Sequence, residues 1–304
     1  ITVVYSVHGC SGAMDSLRND LFDKGDLDWN ESKEISRGGQ GVVYRVPSRS
    51  GQIFAVKTRV SLDEIDRLKR LRHCNIVKFI SVTTHNNRPA LVMEYADRNL
   101  RKHLDRGVLG KHSFIDITSG IAAGLSYVHE QGLVHRDIKS ENILIIIKRT
   151  DECVAKIGDF GIAREIPESW ARHQVVGSYQ YMAPELLVPE RIEGPDPDAV
   201  VERKRRVAEL EPRVDTWSFG CLSWECLTGL APFVGCDPVT LPTMVAIGQN
   251  RIPLPHEVAS ESLWNMLERC LVIKPENRSS MPAIVEMLAG LRDDIQNMTH
   301  EVGY

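Results

Sequence analysis

The pattern of hydrophobic and polar positions divides the chain into a β-rich stretch and then a helical stretch. Alternating apolar positions before Tyr95 predict four strands, at Ile35–Val46, Gln52–Thr58, Ile76–Thr83 and Ala90–Glu94. One helix is predicted between them, over Leu62–Leu71, because its leucines and isoleucine recur at helical spacing. The first third of the chain therefore predicts a small sheet with a single helix.

After Tyr95 the apolar positions recur at helical spacing. The predicted helices cover Ile115–Glu130, Val214–Gly229, Glu261–Val272 and Met281–Leu291. The longest apolar run, Ile143–Ile147, suits a buried strand and is too short to span a membrane. A β-rich lobe and a larger α-rich lobe, in that order, indicate an α+β fold in two lobes.

Two segments differ in composition from the rest. Residues 1–30 are mixed, with a short helix predicted at Asp15–Leu27 and Trp29 placed to pack that helix on the next part of the chain. Residues 189–213 combine Pro, Asp and Glu with the basic run Arg203–Arg206, which is typical of a solvated insert. We therefore divide the chain into an extension (1–30), a small lobe (31–94), a large lobe with an insert (95–292, insert about 189–213) and a tail (293–304).

Composition narrows the possible functions. The 304 residues are 42% hydrophobic and 26% charged, and the net charge of −4 argues against an electrostatic nucleic-acid binder. The seven cysteines lack CxxC spacing, so neither a disulfide framework nor a zinc site is indicated. Reduced thiols favour a cytosolic or nuclear compartment. Because the sequence has no initial Met, we interpret it as a piece of a longer protein.

The densest group of chemically active residues lies between predicted elements, in the sequence HRDIKSEN at His135–Asn142. The sequence DFG stands at Asp159–Gly161, and AVK precedes both at Ala55–Lys57. A Gly-rich run opens the pattern at Ser36–Val43, and APE ends it at Ala183–Glu185. Over roughly residues 31–290 the chain resembles the eukaryotic protein kinases, and the order and content of these motifs carry that resemblance.

The resemblance implies roles for the residues of the large lobe. Asp137 would accept the proton of the substrate hydroxyl, and Lys139 would neutralise charge on the transferred γ-phosphoryl group of ATP. Asn142 and Asp159 would hold Mg²⁺, a hard cation that prefers oxygen ligands. A Lys two positions after the catalytic Asp resembles the Ser/Thr kinases, and Asp215–Gly220 looks nearest to their tyrosine-kinase-like group.

In the small lobe the resemblance pairs Lys57 with the ATP phosphates and with a glutamate on the next helix. Glu64 is the expected partner, with Asp63 as the alternative. The nucleotide would contact residues of the glycine-rich strands, the strand after them, the hinge and the large lobe, namely Ile35, Ser36, Gly38, Gly41, Val43, Ala55, Lys57, Met93, Glu94, Ala96 and Leu144.

One residue and one spacing depart from the kinase pattern. Ser36 stands where the family has glycine, and we expect it to reduce the mobility of the loop without abolishing nucleotide binding. Only seven positions separate Lys57 from Glu64, about half the usual number or less. The short connection would hold the helix inward, although a distorted lobe with a broken pair is the other outcome. The departures keep open the alternative of a pseudokinase or weakly active scaffold.

The resemblance makes the stretch between Asp159–Gly161 and Ala183–Glu185 the activation segment, and the end of this segment raises a question of regulation. Arg136 would receive a phosphate in similar kinases, yet residues Arg172–Val176 contain no hydroxyl group. Activation would then depend on Ser169 or on no phosphate. Ser178 matches a Thr that tethers the catalytic residues, and Glu185 is expected to pair with Arg278.

The sequence as a whole predicts a protein serine/threonine kinase in signalling that uses Mg²⁺ and ATP and acts on protein substrates. The sequence lacks a Walker A motif, so it does not support an unrelated ATP-dependent enzyme of another fold. The Arg203–Arg206 run could contact a partner, but a solvated helix face is the favoured interpretation. We expect neither a nucleic-acid partner nor a membrane span in this segment.

Overall fold

The computed structural model describes residues 26–39, 41–148, 152–165, 179–187, 210–237, 240–246, 252 and 260–301. The described residues form two compact units. A β unit is drawn from Ile1–Arg72 and Val77–Tyr95, and a helical unit is drawn from His73–Ile76 and Ala96–Tyr304. Ser169, Ser178 and the Arg203–Arg206 run lie outside the described residues.

The β unit contains a five-stranded antiparallel sheet in the order β1-β2-β3-β5-β4. Its strands are β1 (Lys33–Gly38), β2 (Gly41–Pro47), β3 (Ile53–Thr58), β4 (Phe79–His85) and β5 (Arg88–Glu94). Helix α1 (Leu62–Arg70) lies between β3 and β4 in the chain, and it buries Ile65 and Leu68 on its inner face. The helix is short, as the seven-position gap in the sequence requires.

One face of this sheet is covered by the residues that precede β1. Leu27 forms a bridge with Ser48 and is almost fully buried. The ring of Trp29 lies tilted against His85, with centroids 4.3 Å apart, and meets Tyr44 edge-on at 5.9 Å. Trp29 therefore packs on the sheet itself, as part of an aromatic cluster over the sheet core.

The helical unit contains two small sheets and seven helices among its described residues. Its strands are β6 (Arg98–Asn99), β7 (Leu133–Val134), β8 (Ile143–Ile147), β9 (Cys153–Ile157) and β10 (Arg164–Glu165). Its helices are α2 (Leu100–Leu104), α3 (Lys111–Glu130), α4 (Pro184–Leu187), α5 (Arg213–Thr228), α6 (Leu241–Ala246), α7 (Glu261–Cys270) and α8 (Met281–Glu301).

Helix α5 forms the centre of the helical unit. Every residue from Val214 to Cys226 is buried, which is the pattern of a helix surrounded by other elements. Gly229 ends the helix in the left-handed conformation, with φ of 72°. Among the described residues, no helix is both long enough and apolar enough to cross a membrane.

Three predictions about secondary structure are corrected. The strand predicted at Ile35–Val46 is the hairpin β1–β2, because the chain reverses before Gly41, which has φ of 133°. The strand predicted at Ile76–Thr83 begins later, and Ile76 instead forms a parallel bridge with Ile157. Within the predicted helix at Asp15–Leu27, the described end at Leu27 is in a bridge, and residues 1–25 lie outside the described part of the chain.

Candidate functional site

The segment His135–Asn142 lies between β7 and β8 of the helical unit, and the buried carboxylate of Asp215 anchors its start. The backbone N–H groups of His135 and Arg136 each donate to Asp215 at 2.8 Å. The Nε2 atom of His129, from α3, lies 2.8 Å from the same carboxylate. The segment is thus attached to α5, the most buried helix of the unit.

This anchor is charged despite its burial. Burial alone would raise the pKa of the Asp215 carboxyl, but its contacts with His129 and His135 outweigh that effect and hold the pKa below its usual value. Three polar contacts therefore converge on one ionised group in a water-excluded position.

Three predicted site residues form one cluster within the anchored segment. The Nζ atom of Lys139 lies 3.0 Å and 2.9 Å from the two carboxylate oxygens of Asp137. The Nδ2 atom of Asn142 donates to Oδ2 of Asp137 and to its backbone carbonyl, both at 2.8 Å. Asp137 is 5% exposed. The cluster fixes the orientation of a nearly buried carboxylate from two sides.

Asp159 lies shortly after β9 and has a left-handed backbone, with φ of 59°, which is uncommon for a residue other than glycine. Next to it, Phe160 is fully buried and packs edge-on against His135, with ring centroids 4.8 Å apart. His135 also contacts the backbone carbonyl of Gly158 through Nε2 at 2.9 Å. The position of Asp159 is therefore coupled to that of the anchored segment.

The oxygen atoms of this region suit Mg²⁺. Asp159 supplies a carboxylate, and within the described residues Asn142 forms its side-chain hydrogen bonds through Nδ2, which leaves its amide oxygen for a ligand. The described residues contain no cluster of three or more His, Cys, Asp or Glu side chains that could hold a metal. Mg²⁺ commonly takes only one or two carboxylates and completes its shell with water and phosphate oxygens.

In the β unit, Lys57 and Glu64 form a buried ion pair. Their Nζ and Oε1 atoms are 2.6 Å apart, and each side chain is 5% exposed. Glu64, and not the exposed Asp63, contacts Lys57. The side chain of Ser61 caps α1 by accepting the backbone N–H of Glu64 at 3.1 Å, so the glutamate lies in the first turn of its helix.

The glycine-rich strands contain one position that only glycine can occupy. A Cβ atom on Gly41 would lie 2.3 Å from the carbonyl oxygen of Thr58, whereas Gly38 has open space around it. Ser36 is exposed on β1 opposite Val43, and Ile35 beside it is half-buried. The serine therefore causes no steric conflict in this structure.

The remaining predicted nucleotide contacts fall in both units. Met93 and Ala55 are buried cross-strand partners in the β unit. The N–H of Glu94 donates to the carbonyl of Lys78 at 3.1 Å, so this N–H already has a partner within the β unit. In the helical unit, Leu144 on β8 is half-buried against Gly158, and Ala96 is half-buried just before β6.

The end of the activation segment is fixed by two buried networks. Arg278 donates to both carboxylate oxygens of Glu185, at 2.7 Å and 3.0 Å, which is the pair expected from the sequence. The second network was missed by sequence reasoning, although a glutamate among the apolar residues Trp224, Cys226 and Leu227 was a signal for it. There Glu225 accepts from Tyr181 at 2.7 Å and from Ser140 at 2.9 Å.

The chain matches one protein family and many individual relatives. The protein kinase domain family matches residues 29–288. The resemblance to eukaryotic protein kinases is confirmed, and with it the α+β protein kinase fold, by this match and by thousands of curated relatives.

Three relatives show which kinds of protein kinase the chain is similar to. Mitogen-activated protein kinase kinase kinase 12 of Rattus norvegicus is 31% identical over 86% of this chain and 26% of its own length. Calmodulin-binding receptor-like cytoplasmic kinase 2 of Arabidopsis thaliana is 30% identical over 89% of this chain and 70% of its own. Serine/threonine/tyrosine-protein kinase HT1 of Arabidopsis thaliana is 29% identical over 81% and 58%. The chain spans about a quarter of the length of the mitogen-activated protein kinase kinase kinases it matches.

Proposed function

Because this chain belongs to the protein kinase family, we propose that it transfers the γ-phosphoryl group of ATP to serine or threonine hydroxyl groups of other proteins. The observation that carries the proposal is the cluster of Asp137, Lys139 and Asn142, in which a nearly buried carboxylate is held by two neighbours. Phosphoryl transfer requires such positioning more than covalent chemistry, because its transition state needs aligned oxygens and neutralised charge.

Asp137 would orient the attacking hydroxyl and accept its proton. The ammonium group of Lys139 lies 3.0 Å and 2.9 Å from the two carboxylate oxygens of Asp137. Lys139 would therefore place a positive charge beside the group being transferred. Asn142 keeps the carboxylate in one orientation through Nδ2. Asp137 would therefore accept the proton, Lys139 would neutralise charge, and Asn142 would keep the carboxylate aligned.

ATP and Mg²⁺ would be held by the residues that the kinase resemblance assigns. Asp159 and the amide oxygen of Asn142 would bind the metal, which neutralises phosphate charge when bound. Lys57 would contact the α- and β-phosphates, with Glu64 fixing the ammonium group at 2.6 Å. Ser36, Gly38 and the other residues of β1 and β2 would lie along the phosphates.

Specificity for serine and threonine is supported by Lys139, two positions after Asp137, and the same resemblance supports membership in the tyrosine-kinase-like group. Protein substrates in signalling are supported by the names of the relatives, several of which describe kinases that act on kinases. The described cysteines form no disulfide bond, and reduced thiols suit a cytoplasmic or nuclear location.

The test is incubation of the protein with Mg²⁺, ATP and either casein or a mitogen-activated protein kinase kinase, beside the Asp137→Asn variant. We expect phosphate transfer by the wild type, loss of transfer in the variant, and phosphoserine or phosphothreonine in the hydrolysed product. Transfer no greater than that of the variant would favour the pseudokinase alternative. Phosphotyrosine alone would contradict the serine/threonine assignment and leave the kinase assignment intact.

A further inference from the structure

Glu225, near the end of α5, is a buried carboxylate that three other parts of the helical unit contact. Its Oε1 atom accepts from Nη1 of Arg101 on α2 at 2.5 Å and from the hydroxyl of Ser140 at 2.9 Å. Its Oε2 atom accepts from the hydroxyl of Tyr181 at 2.7 Å. The side chain of Glu225 is 0% exposed. One buried negative charge therefore joins α2, the catalytic segment (His135–Asn142) and the end of the activation segment.

Arg101 supplies the positive charge beside this carboxylate. Its Nη2 atom also donates to the carbonyl of Gly229, the residue that ends α5, at 3.2 Å. Its Nε atom donates to the exposed carboxylate of Asp105 at 3.0 Å. The backbone N–H of Arg101 donates to the carbonyl of Ser140 at 3.2 Å. Arg101 therefore holds Ser140 directly through the backbone and indirectly through Glu225.

The carboxylate of Glu225 depends on these contacts because it is removed from water. Burial raises the pKa of its carboxyl group, and the hydrogen bonds from Tyr181 and Ser140 and the charge of Arg101 act in the opposite direction. A buried ion that loses its partner is strongly destabilising. Protonation would turn one of the two carboxylate oxygens into a donor, so Glu225 would no longer accept both hydroxyl groups as it does here.

The contact with Ser140 lies beside the residues that we propose to carry out the reaction. Ser140 directly follows Lys139, whose ammonium group contacts the carboxylate of Asp137. Asp215 anchors the start of the catalytic segment through two backbone N–H groups. Glu225, about three helical turns further along α5, anchors the middle of the same segment through the Ser140 hydroxyl. Helix α5 thus restrains the catalytic segment at two points.

We propose that Arg101 is a positioning residue for phosphoryl transfer: its guanidinium group keeps the buried Glu225 carboxylate ionised, so that Glu225 holds Ser140 and the middle of the catalytic segment in place. Arg101 contacts none of the proposed reacting groups and acts on them through Glu225. The catalytic consequence rests on the proposed kinase function, whereas the charge pairing does not.

Thermal unfolding tests the pairing without reference to activity. Arg101→Met should lower the melting temperature by several degrees, because it leaves a buried carboxylate without its cation. The double variant Arg101→Met/Glu225→Gln should melt at a higher temperature than Arg101→Met alone, because the amide carries no charge that needs a partner. A double variant that is no more stable than Arg101→Met would overturn the pairing.

Two substitutions on the exposed side of the same arginine are the matched controls. Lys102→Met removes an exposed positive charge from the next position of α2. Asp105→Asn removes the other carboxylate partner of Arg101, which is 61% exposed. Exposed charges contribute little, so both controls should melt and react as the wild type does. A loss in Asp105→Asn equal to that in Arg101→Met would overturn the specific role of the buried pair.

Steady-state kinetics test the catalytic consequence at a temperature where every variant is folded. Arg101→Met should lower kcat roughly tenfold and change the KM for ATP by less than about twofold, because the substitution displaces Lys139 and leaves Lys57 and Glu64 as they are. Adding Glu225→Gln should bring kcat back to within about threefold of the wild type, because the amide oxygen accepts from the Ser140 hydroxyl. An unchanged kcat in Arg101→Met, or a change confined to KM, would overturn the positioning role.

Ser140→Ala shows whether the effect passes through Ser140. This substitution removes the hydroxyl that Glu225 holds and keeps the backbone carbonyl that accepts from Arg101. In the Ser140→Ala background, Arg101→Met should lower kcat by less than about twofold, because the contact through which it acts is already absent. A further loss of about tenfold in that background would contradict the proposed route.

The kinase function and the role of Arg101 fail in different ways. If the wild type is active and Arg101→Met keeps its full kcat, the role of Arg101 is refuted and the kinase function stands. If every form, the wild type included, transfers no more phosphate than Asp137→Asn, the kinase function is refuted, and with it the catalytic consequence of Arg101. The melting temperatures then still decide whether Arg101 and Glu225 stabilise the fold as a pair.

Discussion

The catalytic segment of the helical unit and the Lys57–Glu64 pair of the β unit hold charged groups in two different ways. Asp215 receives three polar contacts, from two backbone N–H groups and a histidine, and it lies inside a helix that is buried on all sides. Lys57 and Glu64 have a short ion pair between two secondary-structure elements that only three residues connect.

The two sites differ in which part of the structure restrains the charged groups. Around Asp215, loss of one contact leaves the others, so the core of the unit determines the geometry. At Lys57, the position of Glu64 depends on the short connection and on the capping of α1 by Ser61. We therefore expect substitutions near Asp215 to affect stability and activity together. Changes around Lys57 should affect activity more than stability.

Asp215→Asn should have the largest effect. The substitution removes the charge that holds the catalytic segment, so we expect a loss of roughly 3–5 kcal/mol in the free energy of unfolding, as for a broken buried ionic network. Activity should fall by at least about a hundredfold, because a displacement of about 1 Å in a catalytic group can cost that much. Chemical denaturation and initial rates measure the two effects.

The control for this substitution is Asp116→Asn, which breaks an exposed 3.0 Å pair with Arg292. Exposed pairs contribute little, so its unfolding free energy should change by less than about 1 kcal/mol. Folding lowers the pKa of Asp215 from 3.8, so its stabilising contribution is present above that pH and is lost as the pH falls below it. Equal losses in the two variants would contradict the anchoring role of Asp215.

Glu64→Gln should have the next largest effect, and mainly on activity. The amide keeps a hydrogen bond but removes the charge beside Lys57, so we expect roughly a ten- to hundredfold loss of kcat/KM. The unfolding free energy should fall by about 1–3 kcal/mol. Glu34→Gln, which disrupts an exposed pair with Arg37 in the same unit, is the control and should change neither quantity appreciably. If Glu64→Gln lost more stability than Asp215→Asn, the idea that the protein core restrains Asp215 and the short connection restrains Glu64 would be contradicted.

Lengthening the connection between β3 and α1 tests the restraint itself. Insertion of Gly-Ser-Gly between Arg59 and Val60 doubles the three-residue link and leaves the Ser61 cap in place. Doubling a flexible link costs about 0.6 kcal/mol, so the paired state and the activity should fall about threefold. The same insertion between Asn86 and Asn87, in the β4–β5 turn, is the control and should leave activity unchanged. Equal rates for both insertions would show that the short connection does not hold the pair.

The elements that have a strong local pattern were predicted from the sequence. Helix α5 was predicted to within one residue at each end, because apolar spacing and the terminal Gly229 both mark it. The Lys57–Glu64 contact was predicted from motif order and the reach of an extended chain. Elements with a local period, and residues within a motif, can thus be found without a structure.

Other features depend on contacts between distant parts of the chain and have no local signal of their own. Ile76 bridges Ile157 from far away in the sequence, and β9 (Cys153–Ile157) is defined by its pairing with β8. The burial of Glu211, a charged residue just before α5, likewise has no local signal in the sequence. Tertiary context decides such positions, and sequence reasoning predicted none of them.

Ser36→Gly should have the smallest effect. Ser36 is exposed on β1 opposite Val43, next to an irregularity in the strand pairing between Glu34 and Ser36, so the substitution should change kcat/KM for ATP by less than about twofold. Stability should fall by about 0.5–1 kcal/mol, because glycine weakens a strand. The contrasting variant is Gly41→Ala, whose Cβ would meet the Thr58 carbonyl at 2.3 Å and which should abolish nucleotide-dependent activity at equal protein concentration. An increase in kcat/KM of about tenfold or more in Ser36→Gly would mean that the serine, and not the Lys57–Glu64 connection, limits this half of the site.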